Sequence, residues 1–386
     1  MLGESIGVAS FVVWLCLVFA RGGFWRIRTS EAPPLEQAGA PPAVAVIVPA
    51  RNEADVVGAA IRSLVGQSYP GPYHVFLVDD ASTDGTADVA RVAAKQAGRE
   101  DRLTIVQAET PAAGWTGKLW ALNAGLQHAD SFGADYFLFA DADIAHDSGN
   151  VAGLVRRAST DGFDLVSLMA KLSCHSLAER ALIPAFVFFF FMLYPPHWVS
   201  RSDRRTAAAA GGCVLIRRAA LERVGGLAAI RNELIDDCAL ASAVKCSGGR
   251  IWLAPANGVR SLRAYSDWAQ IETMISRTAF TELRHSGALL VATVVAMVVV
   301  FVAPPFLAIV AKTFAVSALG LAAWLLMSAA FAPTLRYYNR SALWAPLLPL
   351  IAIFYIGATM HSALLYWQGR GGLWKGRVQD PGQGVN

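Results

Sequence analysis

The chain has 386 residues, of which 55% are hydrophobic and 16% are charged, and its formal net charge at pH 7 is +4. This hydrophobic fraction, with a mean hydropathy of +0.42, is too high for an ordinary soluble enzyme, whereas the charged fraction is too high for a simple bundle of membrane helices. Basic residues are scattered along the polar part of the chain, so the sequence predicts no nucleic-acid partner.

An apolar segment at residues 5–20 opens the chain. Three arginines follow it: Arg21, Arg26 and Arg28. No basic residue precedes the segment and no small-residue cleavage site follows it, so an uncleaved anchor is favoured over a removed signal peptide. We therefore expect residues 1–24 to anchor the chain in the cell (inner) membrane. Arginines mark the cytoplasmic end of a span, which predicts a cytoplasmic domain after a proline-containing linker at residues 25–42.

The next part of the chain alternates between β-rich and helical patterns. Short β-rich runs predict strands at residues 44–48, 75–78, 103–106 and 136–139. Apolar residues at helical spacing predict helices at residues 53–65, 84–96 and 119–128. Strands that alternate with helices indicate an α/β fold, in which a parallel-type sheet is covered by helices on both faces.

Polar clusters come directly after three of these predicted strands. They read "PARNE" at residues 49–53, "DDASTDG" at 79–85 and "DAD" at 141–143. Ligands of parallel α/β sheets bind outside the carboxyl ends of the strands. We therefore expect the three clusters to line one crevice.

The "DAD" cluster has the donor chemistry of a metal site. Carboxylate oxygens suit magnesium or manganese, so Asp143 is a candidate ligand of a divalent cation. Asp141 would contact the cation through water or would bind a ribose hydroxyl. A solvated turn at the end of a strand is the simpler alternative for an isolated pair of this kind.

Six motifs follow one another along the chain: "IVPARNEADV", "VDDASTDGT", "GWTGKLWALNAG", "FADADI", "GGCVLIRRAALERVGG" and "ELIDDCALASAVKCSGG". Their order resembles that of the family-two glycosyltransferases over roughly residues 44–256. The resemblance implies a GT-A fold, which is a Rossmann-like domain that binds nucleotide sugars, over residues 43–285. It also implies transfer of a sugar from a nucleotide donor, with UDP as the expected nucleotide.

The resemblance carries donor-binding roles over to individual residues. Glu53 and Asp80 match positions that hold the ribose and the base, a role that suits acceptor-only carboxylates. Lys118 matches a lysine near the diphosphate, and Pro49 opens the motif that contains Glu53. The simpler readings are a helix-start carboxylate for Glu53, a turn residue for Asp80 and a solvated surface lysine for Lys118.

The second acidic pair, Asp236 and Asp237, matches the catalytic pair of the family, with Asp236 in place of the usual glutamate. Asp237 falls on the position of the general base, which takes the proton of the acceptor hydroxyl in an inverting transfer. The alternative is a helix N-terminal charge. Of the family's Q-x-x-R-W motif only Arg277 remains, where a guanidinium could bind the diphosphate. The loss of the glutamine and tryptophan weakens the case for a polysaccharide synthase.

Residues 181–199 contain five phenylalanines and no formal charge, but three prolines interrupt them. We expect an interfacial helix at the membrane surface, with Tyr194 and Trp198 as its anchors. A buried core helix is the alternative.

The last part of the chain, residues 286–368, contains three apolar runs that are each long enough to cross a bilayer, at 287–311, 313–332 and 341–368. About three transmembrane helices are therefore expected after the single N-terminal one. Four crossings would place both ends of the chain outside, although the tail at residues 369–386 is basic. Either one segment does not cross or the charge rule is broken here.

The expected acceptor is a membrane lipid. The stretches "RALIPAFVFFFFMLYPPHWV" and "MISRTAFTELRHSGALL" resemble those of the bacterial hopene-associated glycosyltransferases, which implies a hopanoid-type lipid. A ceramide-type or polyprenyl lipid is the next alternative. A polysaccharide synthase and an inactive membrane scaffold stay open as other classes.

Overall fold

The computed structural model describes residues 2–29, 40–374 and 377–378. Part of the expected linker at residues 25–42 and much of the expected tail at 369–386 therefore lie outside the described residues. Within them, the chain forms a central sheet flanked by helices, together with long apolar helices from both ends of the chain.

The strands are numbered in chain order. They are β1 Val44–Ala50, β2 Tyr73–Asp79, β3 Leu103–Gln107, β4 Tyr136–Ala140, β5 Ile144–His146, β6 Leu165–Lys171, β7 Cys213–Arg217, β8 Ile251–Ser261, β9 Leu373–Trp374 and β10 Arg377–Val378. The last two form a separate antiparallel pair.

The other strands form one sheet in the order β3-β2-β1-β4-β7-β6-β8-β5. The four strands expected from the sequence, β1 to β4, are parallel to one another, which confirms that part of the prediction. The whole sheet is mixed, however, because β7 runs antiparallel to both β4 and β6. The expectation of a parallel-type sheet was wrong there, since the sequence analysis had not identified β7 as a strand.

The helices are likewise numbered in chain order. They are α1 Leu2–Ala20, α2 Ala54–Val65, α3 Thr86–Gln96, α4 Gly117–Ala129, α5 Asn150–Thr160, α6 Leu177–Leu193, α7 Pro196–Val199, α8 Arg218–Arg223, α9 Asp236–Cys246, α10 Trp268–Ser276, α11 Ala279–Glu282, α12 Gly287–Met297, α13 Ala303–Val310, α14 Phe314–Tyr337 and α15 Leu348–Trp367. A π-helical turn, Val298–Val302, joins α12 to α13.

Helices cover both faces of the sheet, as the alternation of side chains along β1 shows. Val44, Val46 and Val48 pack in a core with α2, α3 and α5. Ala45 and Ile47 point to the other face, into a core that includes α4, α6 and several of the apolar helices. Alternate strand residues point to opposite faces of a sheet, so these buried strands are apolar throughout.

Helix α6 contains most of the phenylalanine-rich segment. It begins with a capping box formed by Ser176 and Glu179, and Pro184 lies inside it. Most of its side chains are buried, and Phe188 lies in contact with Phe24 after α1 and with Phe331 of α14. This burial favours the core-helix alternative over an interfacial helix, while its position relative to a bilayer stays a prediction.

Within the part of the chain that the structure describes, five helical segments are long and apolar enough to cross a membrane. They are Gly3–Ala20, Leu177–Val199, Gly287–Val310, Phe314–Tyr337 and Ala342–Trp367. Four of them are the segments expected from the sequence, and the fifth is the segment that contains α6. Length and composition permit crossing, and the number of true crossings stays a prediction.

Candidate active site

A cleft of about 520 Å³ lies at the edge of the sheet where β1 and β4 end. Eight of the nine site residues expected from the sequence line it: Pro49, Glu53, Lys118, Asp141, Asp143, Asp236, Asp237 and Arg277. The fold thus brings together residues that are almost 230 positions apart in the chain, from Pro49 to Arg277.

Lys118 is the cation at the centre of this cluster. It occupies the first turn of α4, which Thr116 caps by accepting a hydrogen bond from the Leu119 amide. Its ammonium nitrogen lies 3.1 Å from Asp141 Oδ1 and 3.3 Å from Asp236 Oδ2. Burial alone lowers the pKa of Lys118, but the two carboxylates outweigh that effect and hold the pKa above its usual value. Lys118 is therefore a charged group of the cleft rather than a solvated surface lysine.

Asp237 lies beside this cluster, at the second position of α9. Its Oδ1 accepts a hydrogen bond of 2.7 Å from the Cys238 amide. Burial raises the pKa of Asp237 to about 7, and the negative charge of Asp236 adds to that rise, while Lys118 opposes it. A carboxylate with a pKa near neutrality is well matched to the work of a general base.

Gly211 gives Lys118 and Asp237 the space that they occupy. A Cβ atom at position 211 would lie 3.2 Å from Lys118 Nζ and 3.3 Å from Asp237 Oδ2. Because both side chains are held by other contacts, any larger residue at position 211 would push into the acidic cluster.

Arg263 is a residue of the cleft that the sequence did not predict. This residue lies just after β8 and lines the same cleft. Its Nε donates to Asp143 Oδ2 at 2.8 Å, and its Nη2 donates to both oxygens of Glu53, at 2.9 and 2.7 Å. Burial by itself lowers the pKa of Arg263, but Asp143 and Glu53 hold it above its usual value, so the guanidinium stays charged.

One signal could have found Arg263. It follows the carboxyl end of a strand at the same edge of the sheet as the predicted site, which is where ligands of such sheets bind. That strand was not recognised in the sequence, because Pro255 and Gly258 interrupt β8 and hide its strand pattern.

Asp80 is the predicted site residue that does not line the cleft. It follows β2, and its exposed fraction is only 1%. The Arg51 guanidinium lies 3.6 Å from Asp80 Oδ2, and it also donates a hydrogen bond to the Asp80 carbonyl oxygen. The expected contact of Asp80 with a nucleotide base stays a prediction.

The carboxylate oxygens of Asp141 and Asp143 suit magnesium or manganese, provided that a bound ligand supplies further oxygen atoms. Among the described residues, no group of three or more His, Cys, Asp and Glu side chains is arranged to hold a metal ion. Asp141 and Asp143 instead face the cations of Lys118 and Arg263. Magnesium is often bound by one or two carboxylates together with substrate phosphates. These two carboxylates therefore fit a cation that arrives with a diphosphate.

Apolar side chains also line the cleft. Helix α6 contributes Phe186 and Phe190, helix α10 contributes Met274, and Met169 and Leu172 come from β6 and the residue after it. Both helices also pack against α15. The cleft thus combines a cluster of charged groups with apolar side chains, two of which come from the apolar helix α6.

Comparison with known proteins adds a family and several relatives. A family model described as "Glycosyltransferase like family 2" matches residues 41–281 of this chain. The β-monoglucosyldiacylglycerol synthase of Trichormus variabilis is 35% identical over 114 residues, which are 29% of this chain and 23% of that protein. The probable glycosyltransferase YdaM of Bacillus subtilis is 27% identical over 227 residues, 56% of this chain and 51% of that protein.

A third relative is the 4,4'-diaponeurosporenoate glycosyltransferase of Staphylococcus aureus, 35% identical over 103 residues, 26% of this chain and 24% of that protein. The chain thus matches between about a quarter and a half of the length of these relatives. Among solved structures, the mannosyltransferase PcManGT of Pyrobaculum calidifontis, in complex with GDP-Man and Mn²⁺, superposes with a TM-score of 0.58 at 20% identity. The superposition covers 94% of this chain and 99% of that one, and it shows that the fold is shared.

Proposed function

The chain belongs to the family-two-like glycosyltransferases, since the family model matches more than half of it, and from this membership we propose that it transfers a sugar, with inversion, from a nucleotide donor to the hydroxyl group of a membrane lipid. One observation carries the proposal. A single cleft joins the carboxylates and cations that suit a nucleotide diphosphate to an apolar wall that suits a lipid.

The nucleotide-sugar donor would bind to the charged side chains of the cleft. Glu53 would accept hydrogen bonds from the ribose hydroxyls, and Asp80 would bind the base, for which we propose uracil. Lys118 and Arg277 would neutralise the diphosphate, because an ammonium and a guanidinium both bind phosphate oxygens well.

Asp143 and Asp141 would hold a divalent cation, magnesium or manganese. When bound, such a cation supplies neutralisation of the negative charge on the leaving diphosphate. The fit rests on the oxygen donors of the two carboxylates, which line one cleft.

Asp237 would act as the general base. It would take the proton of the acceptor hydroxyl while that oxygen attacks the anomeric carbon of the sugar, and the bond from this carbon to the diphosphate would break. The nucleoside diphosphate leaves with the bonding electron pair. A single displacement of this kind inverts the anomeric centre, and no covalent sugar–enzyme intermediate is formed.

The acceptor lipid would lie against the apolar side chains of the cleft, such as Phe186 and Phe190. The names of two relatives denote synthesis of a glucosylated diacylglycerol and glycosylation of diaponeurosporenoate. A hopanoid-type lipid is our first candidate, and a ceramide-type or polyprenyl lipid is the second. Attachment to the inner membrane through several spans, with the catalytic domain in the cytoplasm, completes the proposal.

The test is to incubate the purified protein with a bacterial lipid extract, manganese and each of several UDP-sugars, and to identify products by mass spectrometry. We expect a glycosylated lipid with one of the sugars. If only soluble saccharide acceptors are extended, the lipid acceptor is wrong.

The same assay tests the general base. Asp237→Asn should reduce transfer at least about a hundredfold, the lower range for general base catalysis, while UDP binding measured by calorimetry stays close to that of the wild type. Asp203→Asn is the matched control, because Asp203 is exposed and pairs with Arg201 on the surface. Full activity of Asp237→Asn would show that another group is the base.

A further inference from the structure

We propose that Arg263 is an internal counter-ion of the metal site: it holds Asp143 and Glu53 while the cleft is free of ligand, and it passes to the diphosphate when a divalent cation takes Asp143. The inference rests on the proposed nucleotide-sugar donor and deepens it. It assigns a role to a residue that lies outside the predicted site.

The contacts of Arg263 show how firmly it holds the two carboxylates. Three hydrogen bonds of 2.7 to 2.9 Å join its guanidinium to Asp143 and Glu53. The side chains of Glu53 and Asp143 are only 11% and 19% exposed. Carboxylates with so little access to water need a cation beside them, and Arg263 is that cation in this structure.

A divalent cation would compete directly with Arg263. The guanidinium already uses Asp143 Oδ2, and a metal ion bound to the same carboxylate would repel a guanidinium a few ångströms away. The two cations therefore exclude each other from Asp143 unless another anion separates them. A diphosphate is such an anion, because its oxygens bind a metal ion on one side and accept the two parallel donors of a guanidinium on the other.

The formal charge of the whole cleft also favours joint binding of the metal ion and the diphosphate. Six acidic and three basic side chains line it, which gives a formal net charge of −3. A diphosphate alone would be repelled by this cleft, and a metal ion alone would have to displace Arg263. With both present, Arg263 would yield Asp143 to the metal and Glu53 to the ribose hydroxyls, and its guanidinium would bind the diphosphate.

Arg263 can make this movement because of its place in the fold. It lies on the irregular segment, residues 262–266, between β8 and α10. Lys118, in contrast, is in the first turn of a helix and is held by Asp141 and Asp236 from two different elements. We therefore assign the exchange to Arg263, whereas Lys118 would keep its contact with Asp236 when the cation takes Asp141. The consequence is positive coupling, in which nucleotide tightens metal binding and metal tightens nucleotide binding by the same factor.

The experiment measures manganese binding to the purified full-length protein by electron paramagnetic resonance of free Mn²⁺, with and without UDP. In the wild type, we expect weak binding without UDP and at least about tenfold tighter binding with it, within the usual range of coupling between sites. Arg263→Gln should bind Mn²⁺ at least about fivefold more tightly without UDP, and the enhancement by UDP should shrink.

Arg260→Gln is the matched control. Arg260 lies on β8 and pairs with Asp147 at 2.8 Å, outside the cleft, so its loss should leave both affinities unchanged. Arg263→Lys keeps the charge but cannot hold Glu53 and Asp143 with one planar group, so we expect nucleotide-free Mn²⁺ binding tighter than in the wild type. This variant tests the inference even if Arg263→Gln does not fold, which thermal unfolding of each variant will show.

Nucleotide-free Mn²⁺ affinity that is unchanged or weaker in the folded Arg263 variants would overturn the inference and leave Arg263 a purely structural ion pair. This arm needs neither donor nor acceptor, so it is independent of the proposed function. A wild-type protein whose Mn²⁺ binding never responds to UDP would instead contradict both the UDP donor and the coupling. The two failures can therefore be told apart.

Discussion

At the scale of single residues, the proposed chemistry of the cleft depends on the protonation state of Asp237. Burial and the charge of Asp236 raise the pKa of Asp237 to about 7, and Lys118 limits the rise. A general base acts only when it is unprotonated. The proposed enzyme should therefore lose activity below about pH 7, where Asp237 becomes protonated, and kcat/KM should fall about tenfold for each further pH unit.

Two substitutions should move this acidic limb in opposite directions. Asp236→Asn removes a neighbouring negative charge, so the pKa of Asp237 falls and the limb moves to lower pH. Lys118→Met removes a positive charge, so the limb moves to higher pH. The measurement is the pH profile of kcat/KM. The pH at the midpoint of the acidic limb is compared between variants, independently of the maximal value of kcat/KM. Asp130→Asn is the control, because Asp130 pairs with Arg218 elsewhere on the surface. Identical limbs in all variants would mean that another group titrates.

Residue by residue, the sequence could predict those side chains that come directly after a recognisable strand or match a motif. Asp141, Asp143, Asp236 and Lys118 were expected in one site, and the structure brings them together. Arg263 was not predicted, because Pro255 and Gly258 hide the strand that precedes it and its partner Glu53 is 210 residues away in the chain. A single arginine in an irregular segment carries no pattern, and its meaning comes only from the carboxylates that the fold places beside it.

At the scale of elements, two adjacent prolines shape the helical segment Gly287–Val310. Pro304 and Pro305 have no amide hydrogen, so the Val300 carbonyl has neither an α-helical nor a π-helical donor in its own segment. The Trp14 indole supplies the missing donor, at 2.8 Å, and the Ser10 hydroxyl donates to the Val299 carbonyl at 2.6 Å. Two hydrogen bonds thus join helix α1 to the π-helical turn between α12 and α13.

Trp14→Phe should therefore destabilise the protein by about 1–3 kcal/mol, the cost of leaving a buried carbonyl without a partner. The indole of Trp14 is fully buried, so no water can take its place. Thermal unfolding in detergent would show the effect as a lower midpoint. Trp25→Phe is the matched control: its indole donates to the Val18 carbonyl near the end of α1, and we expect a loss below about 1 kcal/mol. Equal losses in the two variants would argue against a special role for Trp14.

Sequence patterns predicted β1 to β4 but did not identify β6, β7 or β8. Strands β1, β2 and β4 are buried and have clear apolar runs, whereas β3 is partly exposed. Helix α6 is apolar on nearly every side because it lies between the sheet domain and the apolar helices, and an interfacial helix gives the same composition. Strand β8 is interrupted by a proline and a glycine. Composition alone could not distinguish these environments.

At the scale of the whole molecule, the catalytic domain and the apolar helices share one core. Phe188 of α6 packs against Phe331 of α14, and Phe189 packs against Tyr355 of α15. The Tyr355 hydroxyl also donates to the Leu182 carbonyl at 2.9 Å. The face of α6 that packs against α14 and α15 would be left exposed without them.

A chain that ends at residue 285 should consequently fail to form a stable, monodisperse protein, although it contains every residue of the proposed active site. Burial of aromatic side chains supplies much of the stability of a core, and this fragment would expose those of α6. Co-expression with a second fragment, residues 286–386, should restore a monodisperse complex and UDP-dependent Mn²⁺ binding, because the cut lies in the short turn before α12 and breaks no core element. Size-exclusion chromatography in detergent would compare the fragment alone, the pair and the intact chain. A well-behaved fragment that binds Mn²⁺ and UDP by itself would show that the sheet domain is stable without the helices, and that α6 needs no cover.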